Sequence, residues 1–369
     1  MGLLRLSRAR HGSCPGFAAS RAQHLHYHRR LFRAYVGFGA YIHYDFQTLN
    51  QNVWKHDITL SGGGNWEFEW YTNNRTNSFV KNGTLFLKPT LTADNIGAEN
   101  VVSGTTMDLN GNEAGYHCTD AGFFGCRRTS DGTNIINPVQ SARISTAESV
   151  AIQYGRVEVK AKLPKGDWIW PAIWLLPKRP TYGNWPASGE IDIMESRGNK
   201  PGNAKSPGYD TIGSTLHWGP SYQFNKFDLT HKEFKLPSGS FGDEFHTFGL
   251  EWTPDYLRTY VDEPTNVVLE VPLSKSFWDK GGFPTSINNP WEDQCTAAPF
   301  DQEFYLILNV AVGGTASYFP DDAGDNKPWK NTAATAAKDF WDAKDQWYKT
   351  WEKDDVAMKV DSVKMWKMC

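Results

Sequence analysis

Hydrophobic and polar positions along this chain alternate with the period of a β-strand. In 155–163, GRVEVKAKL, Val157, Val159, Ala161 and Leu163 fall on one face and Arg156, Glu158, Lys160 and Lys162 on the other. Successive strand side chains point to opposite faces, so this segment reads as a strand with one buried and one wet side. TFGLEWT, 247–253, repeats the pattern with Phe248, Leu250 and Trp252. Thr253-Pro254-Asp255 then signals a turn and YLRTYVD follows, which predicts a hairpin. FYLILNVAV, 304–312, is nearly all apolar and reads as a strand buried on both faces, and VAMKVDSVKMW, 356–366, reads as a last strand. Only 331–351 has helical texture, with Phe340, Trp341, Trp347 and Trp351 recurring at about helical spacing. Many strands and little helix predict an all-β, two-sheet sandwich.

One strand-like stretch breaks the rule that acids avoid apolar segments. In EIDIME, 190–195, Glu190, Asp192 and Glu195 are interleaved with Ile191, Ile193 and Met194. A period of two puts Glu190 and Asp192 on one face with the isoleucines opposite, and it turns Glu195 away. One extra residue near Met194, a β-bulge, would return Glu195 to the face of the other two acids. Three carboxylates on one wall repel one another, which raises at least one pKa and leaves a protonated acid beside an ionised carboxylate. That pair is the equipment of a glycosidase, and a retaining enzyme needs the two groups about 5–5.5 Å apart. Glu190 and Glu195 would be the pair, with Asp192 holding Glu190. Two other readings stay open: a solvated strand face, and a calcium or magnesium cluster, although calcium ligands usually come from loops rich in Gly and Asn. Trp168, Trp170, Trp174 and Trp185 upstream, and His217 and Trp218 downstream, favour a sugar cleft.

Composition narrows the field further. Aromatic residues make up 14% of the chain, suiting either strands or sugar-stacking platforms. Against 38 basic residues stand 41 acidic ones, a net charge of −3, which excludes a general nucleic-acid binder. No apolar run approaches the roughly 18 residues of a membrane-spanning helix, so neither nucleic acid nor membrane is an expected partner. Of five cysteines, Cys118 and Cys126 bracket CTDAGFFGC and read as a local disulfide. Cys295 and Cys369 have no evident partners, and no His/Cys spacing signals zinc. Residues 1–44 are Arg-rich without Lys or acid, resembling a transit peptide rather than a signal peptide. They read as a leader, disordered or spurious, and 45–369 as the folded domain.

The order of several blocks resembles glycoside hydrolase family 16, in its animal laminarinase and β-1,3-glucan-binding-protein branch. The blocks are GGGNWEFEWYTNNRTNSFVKNGTLFLKPTLT from Gly62, WIWPAIWLLP from Trp168, GEIDIMES, STLHWG from Ser214, FHTFGLEWTPD from Phe245 and FYLILNVAVGG from Phe304. The resemblance implies a β-jelly-roll with substrate across its concave sheet, Glu190 as nucleophile, Glu195 as general acid/base, Asp192 as their partner, and retention of configuration. It also implies that Asn73 and Arg75 contact substrate and that Trp170, Trp185 and His217 face sugar. No cofactor is expected to be required. Some relatives carry a structural calcium, and Asp361 matches a ligand position in the last strand. The expected function is endo-hydrolysis of β-1,3-glucan by a secreted monomer. The alternative is a non-catalytic β-1,3-glucan recognition protein of innate immunity.

Overall fold

A computed structural model of the chain describes residues 38–111, 117–202, 207–322 and 326–368. Two eight-stranded sheets dominate. The outer sheet runs, in spatial order, Val267–Pro272, Tyr256–Val261, His246–Trp252, Gly155–Lys162, Met358–Met368, Thr84–Leu87 and Ser78–Lys81, with Phe38–Asp45 added beside Met358–Met368. The acid-bearing sheet runs His231–Lys235, Thr211–His217, Glu190–Ser196, Ile169–Pro177, Phe304–Val312, Arg143–Ser145 and Lys55–His56, with Ala151–Ile152 also on Phe304–Val312. Every pairing within these two sheets is antiparallel. The all-β sandwich anticipated from the alternation is thus present, and its two apolar faces meet in one core.

The alternation maps directly onto that core. Val157, Val159 and Ala161 are fully buried and Leu163 nearly so, while Lys160 on the opposite face is exposed. Burying each such aliphatic side chain stabilises the fold by roughly 1.5–3 kcal/mol. Phe304–Val312 is covered on both sides, because a second cluster of Phe68, Trp168, Trp329, Phe340, Trp341 and Trp347 packs over one end of the acid-bearing sheet. The expected helical segment supplies part of that cover, as two short helices, Ala336–Asp342 and Lys344–Trp347. Helix is not confined to it: Ala93–Ile96, Ala98–Val102 and Phe277–Gly281 are also helical, each too short to show a periodic apolar stripe.

Pro171 lies inside a central strand, where proline normally interrupts the hydrogen-bond ladder. It is tolerated because pairing with the acid strand begins at Ala172, so the missing N–H falls where no ladder partner is needed.

Two expectations are corrected. The sheet begins at Phe38 rather than at 45, since Phe38–Asp45 pairs with the final strand; residues 1–37 of the presumed leader lie outside the described residues. Cys295, which has no evident partner in the sequence, is disulfide-bonded. Cys14 and Cys369 lie outside the described residues. Cys118 is bonded to Cys126 across the CTDAGFFGC loop.

Candidate active site

Glu190–Ser196 pairs with Ile169–Pro177 on one side and Thr211–His217 on the other. Glu195 lies opposite Ala172 and Met194 opposite Ile173, but Trp174 lies opposite Asp192. Ile193 is therefore the extra residue of a bulge, and the register to Thr211–His217 shifts at the same place. The carbonyl of Ile193 accepts a hydrogen bond from Ser214 Oγ (2.6 Å). Ile191, Ile193 and Met194 consequently all enter the core, at 0, 1 and 0% exposure. Glu190, Asp192 and Glu195 share the other face. Gly189, at φ +84°, turns the chain into this strand, and a Cβ there would press on Phe300 and Pro299.

Each acid has its own support. Trp170 Nε1 donates to Glu195 Oε1 (3.0 Å), and Trp185 Nε1 donates to Glu190 Oε2 (2.8 Å). His217 Nε2 lies 3.3 Å from Asp192 Oδ2 and 3.8 Å from Glu190 Oε1. The other ring nitrogen of His217 is bonded to the Asn225 side chain (2.8 Å), which fixes the ring. Glu195 and Glu190 remain partly accessible, whereas Asp192 is buried.

Burial raises the Glu195 carboxyl, and the Glu190 charge reinforces it; His217, the Trp170 hydrogen bond and Arg197 pull the other way without prevailing. Burial, and then the charges of Glu190 and Glu195, push Asp192 well above the usual carboxylate range. For His217 burial disfavours the charged form, yet the Asp192 contact and the charges of Glu190 and Glu195 outweigh it and push the imidazole up to about 9. The wall thus combines carboxyls raised by burial and by one another's charge with an imidazole pushed above neutrality, whose charge offsets its neighbours'.

Two of the residues expected to face sugar also serve the acids. Trp170 is 9% exposed, stacked on Tyr318 with ring centroids 3.8 Å apart, and its indole serves Glu195. His217 is likewise engaged with the acids, and its side chain stays 20% exposed. Trp168 is buried against Phe319 and Trp329. Trp185, 39% exposed, does present a ring beside Glu190, with Tyr222 and Phe227 extending the aromatic rim past it and His217. Asn73 is half-buried and Arg75 exposed in the loop after Glu69–Tyr71, where Arg75 Nη1 donates to Ser78 O (3.4 Å). Sequence reasoning missed Tyr318, Asn225 and Arg197. Arg197 donates twice to the Tyr318 carbonyl and lies over the Tyr318 ring (4.1 Å), so it braces the stack behind Glu195.

Glu190, Asp192 and His217 offer ligand atoms within 4.8 Å of one another. Asp361 belongs to no group of three or more His, Cys, Asp or Glu ligands among the described residues. Its carboxylate instead lies 3.3 Å from Lys160 Nζ, where a cation already faces it.

The family model for glycosyl hydrolases family 16 matches residues 93–289. The chain is 49% identical over 331 residues to a beta-1,3-glucan-binding protein of Penaeus monodon, covering 88% of this chain and 89% of that protein. It is 33% identical to a glucan endo-1,3-beta-glucosidase of Cryptopygus antarcticus, covering 76% of this chain and 82% of that one. It spans 64% and 62% of the length of two longer relatives. Among solved structures, the endo-beta-1,3-glucanase from Pyrococcus furiosus superposes with a TM-score of 0.57 at 25% identity, over 90% of this chain and 95% of that one. By its sequence match and its fold, the chain belongs to glycosyl hydrolases family 16.

Proposed function

We propose that this protein is a secreted, endo-acting, retaining hydrolase of β-1,3-glucan. The observation that carries the reading is the bulge at Ile193, which brings Glu190 and Glu195 onto one face while Ile191, Ile193 and Met194 fill the core. Glu195, raised by burial, protonates the glycosidic oxygen as Glu190 attacks the anomeric carbon. The C–O bond breaks, the alcohol leaves with the proton, and a glycosyl ester forms on Glu190. That step removes the negative charge of Glu190, one of the causes that raise Glu195. Glu195 then becomes more acidic and is suited to take a proton from the water that hydrolyses the ester. His217 and Trp185 position Glu190, and Trp170 positions Glu195. The disulfides at Cys118–Cys126 and at Cys295 suit an oxidising, extracellular compartment.

A second reading, glucan recognition without cleavage, is favoured by the name of the Penaeus monodon relative. Reducing-sugar release from laminarin separates the two. Wild-type release that Glu190→Gln abolishes supports the hydrolase. Equal near-zero rates with retained glucan binding support recognition.

A further inference from the structure

Three large aromatic side chains stand in solvent away from the acids. Trp66, Phe123 and Phe124 are 47, 52 and 71% exposed, and each sits in left-handed backbone, at φ +53°, +50° and +65°. For a bulky L-residue that conformation costs of order 1–3 kcal/mol, and it persists only where its surroundings impose it. These three positions therefore oppose folding twice, through exposed apolar rings and through strained backbone.

The restraints are specific. Phe123 and Phe124 lie in the loop closed by the Cys118–Cys126 bond. Arg128 Nη2 donates to the Phe123 carbonyl (3.2 Å), and the Gly125 carbonyl accepts from Leu60 N (2.7 Å) and Thr59 Oγ1 (3.3 Å). A Cβ on Gly125 would fall 2.2 Å from Asp120 O. Across the gap, Asn65 Nδ2 donates to Glu67 Oε1 (3.0 Å) and Glu67 N to Gly62 O (3.0 Å), pinning Trp66 between them. The rings of Trp66 and Phe123 meet edge to face, 5.4 Å apart.

These rings flank a cavity of about 930 Å³ whose lining includes Trp66 and Phe124 with Arg127, Thr129, Asn134 and Ile135. Aromatic faces beside mostly neutral hydrogen-bonding groups match a sugar ring, which has an apolar C–H face and a rim of hydroxyls. Of the three cations on the lining, Arg127 has Asp108 at 3.7 Å, Lys338 is paired with Asp342, and Arg128 is engaged by Asn137 Oδ1 and the carbonyls of Leu60 and Phe123, so none stands free to select an anion. The cavity also adjoins the acid-bearing sheet. Ala311 pairs with Trp170, which holds Glu195; a few residues on, Thr315 lines the cavity and its amide donates to Asn65 O (2.9 Å).

We infer that this cavity and its aromatic rim bind a stretch of β-1,3-glucan remote from the bond at the acids. The inference rests on the glucan reading above and adds a second holding point for the polymer. The test titrates Glu190→Gln protein with laminarin and, as a short reference, with laminaritriose. Adding Trp66→Ala and Phe124→Ala should lower the ratio of polymer to trisaccharide affinity roughly tenfold or more. Adding Ala334→Trp instead, an exposed position on the cavity lining, should lower the ratio by obstruction while leaving all three aromatic residues intact. An unchanged ratio in the folded Ala334→Trp protein overturns the second site. Failure of the Glu190→Gln parent to bind either ligand overturns the glucan reading itself.

Discussion

Two acid clusters of this molecule arise from the same local pattern and have opposite fates. Glu190 and Asp192 flank Ile191, and Glu67 and Glu69 flank Phe68. Burial pushes up Asp192 and Glu195 in the first cluster and Glu67 and Glu69 in the second. Around Glu69 every neighbour closes the site. Val312 N donates to its Oε2 (2.6 Å), Tyr71 and Asn65 bond Glu67, and Glu69 is fully buried. Burial and then the adjacent Glu67 raise Glu69 well above the usual carboxylate range. Around Glu190 and Glu195 the partners are indole N–H groups and one imidazole, and both carboxyls keep an accessible side. The difference teaches that acids spaced alike in sequence stay accessible only where a bulge adds a third acid and the face stays open.

The sharpest way to break the comparison is to neutralise each cluster in turn. Glu190→Gln and Glu195→Gln should each cut hydrolysis of laminarin by about 10³-fold or more, with the melting curve preserved. Near wild-type rates in either variant would remove that residue from the mechanism. Glu69→Ala should do the reverse, costing about 1–3 kcal/mol of stability through the buried Val312 N–H and Glu67 left without their partner. Its turnover per folded molecule should change little, and denaturant titration beside an activity assay reads both quantities.

Proton linkage gives smaller effects with definite signs. His217 is raised above its unfolded value of 6.5 to about 9, so its contribution to stability is complete below 6.5 and lost as pH rises through about 9. Wild type should lose melting temperature across that window, and His217→Asn should lose less. A parallel decline in both proteins would show that the imidazolium contributes nothing there. The smallest expected effect is at Trp170. Its N–H stabilises the ionised form of Glu195, so Trp170→Phe should move the alkaline limb of the pH–rate profile to higher pH. A limb that stays in place or moves down would break the link between that indole and the acid.

Local periodicity made the strands legible. Val157, Val159 and Ala161 face the core because a strand has no other way to bury them beside Arg156, Glu158 and Lys160. The bulge was legible too, because Glu195 could not otherwise share a face with Glu190. The roles of Trp170 and His217 were not. Whether an indole lies open to sugar or turns its N–H to a carboxylate depends on Tyr318 and Arg197, which arrive from distant segments. The same holds for the pairing of Phe38–Asp45 with the last strand, for the bonded state of Cys295 and for Lys160 facing Asp361.

The chain's own order of residues determined an all-β sandwich, a bulged acid strand and a local Cys118–Cys126 loop, because each follows from side-chain alternation or short-range spacing. Tertiary structure alone decided which acids are sealed and which stay open, and which aromatics support, cover or stand exposed. The reason is physical: solvent access and electrostatic environment are set by what packs across a gap, and that is a property of segments far apart in the chain.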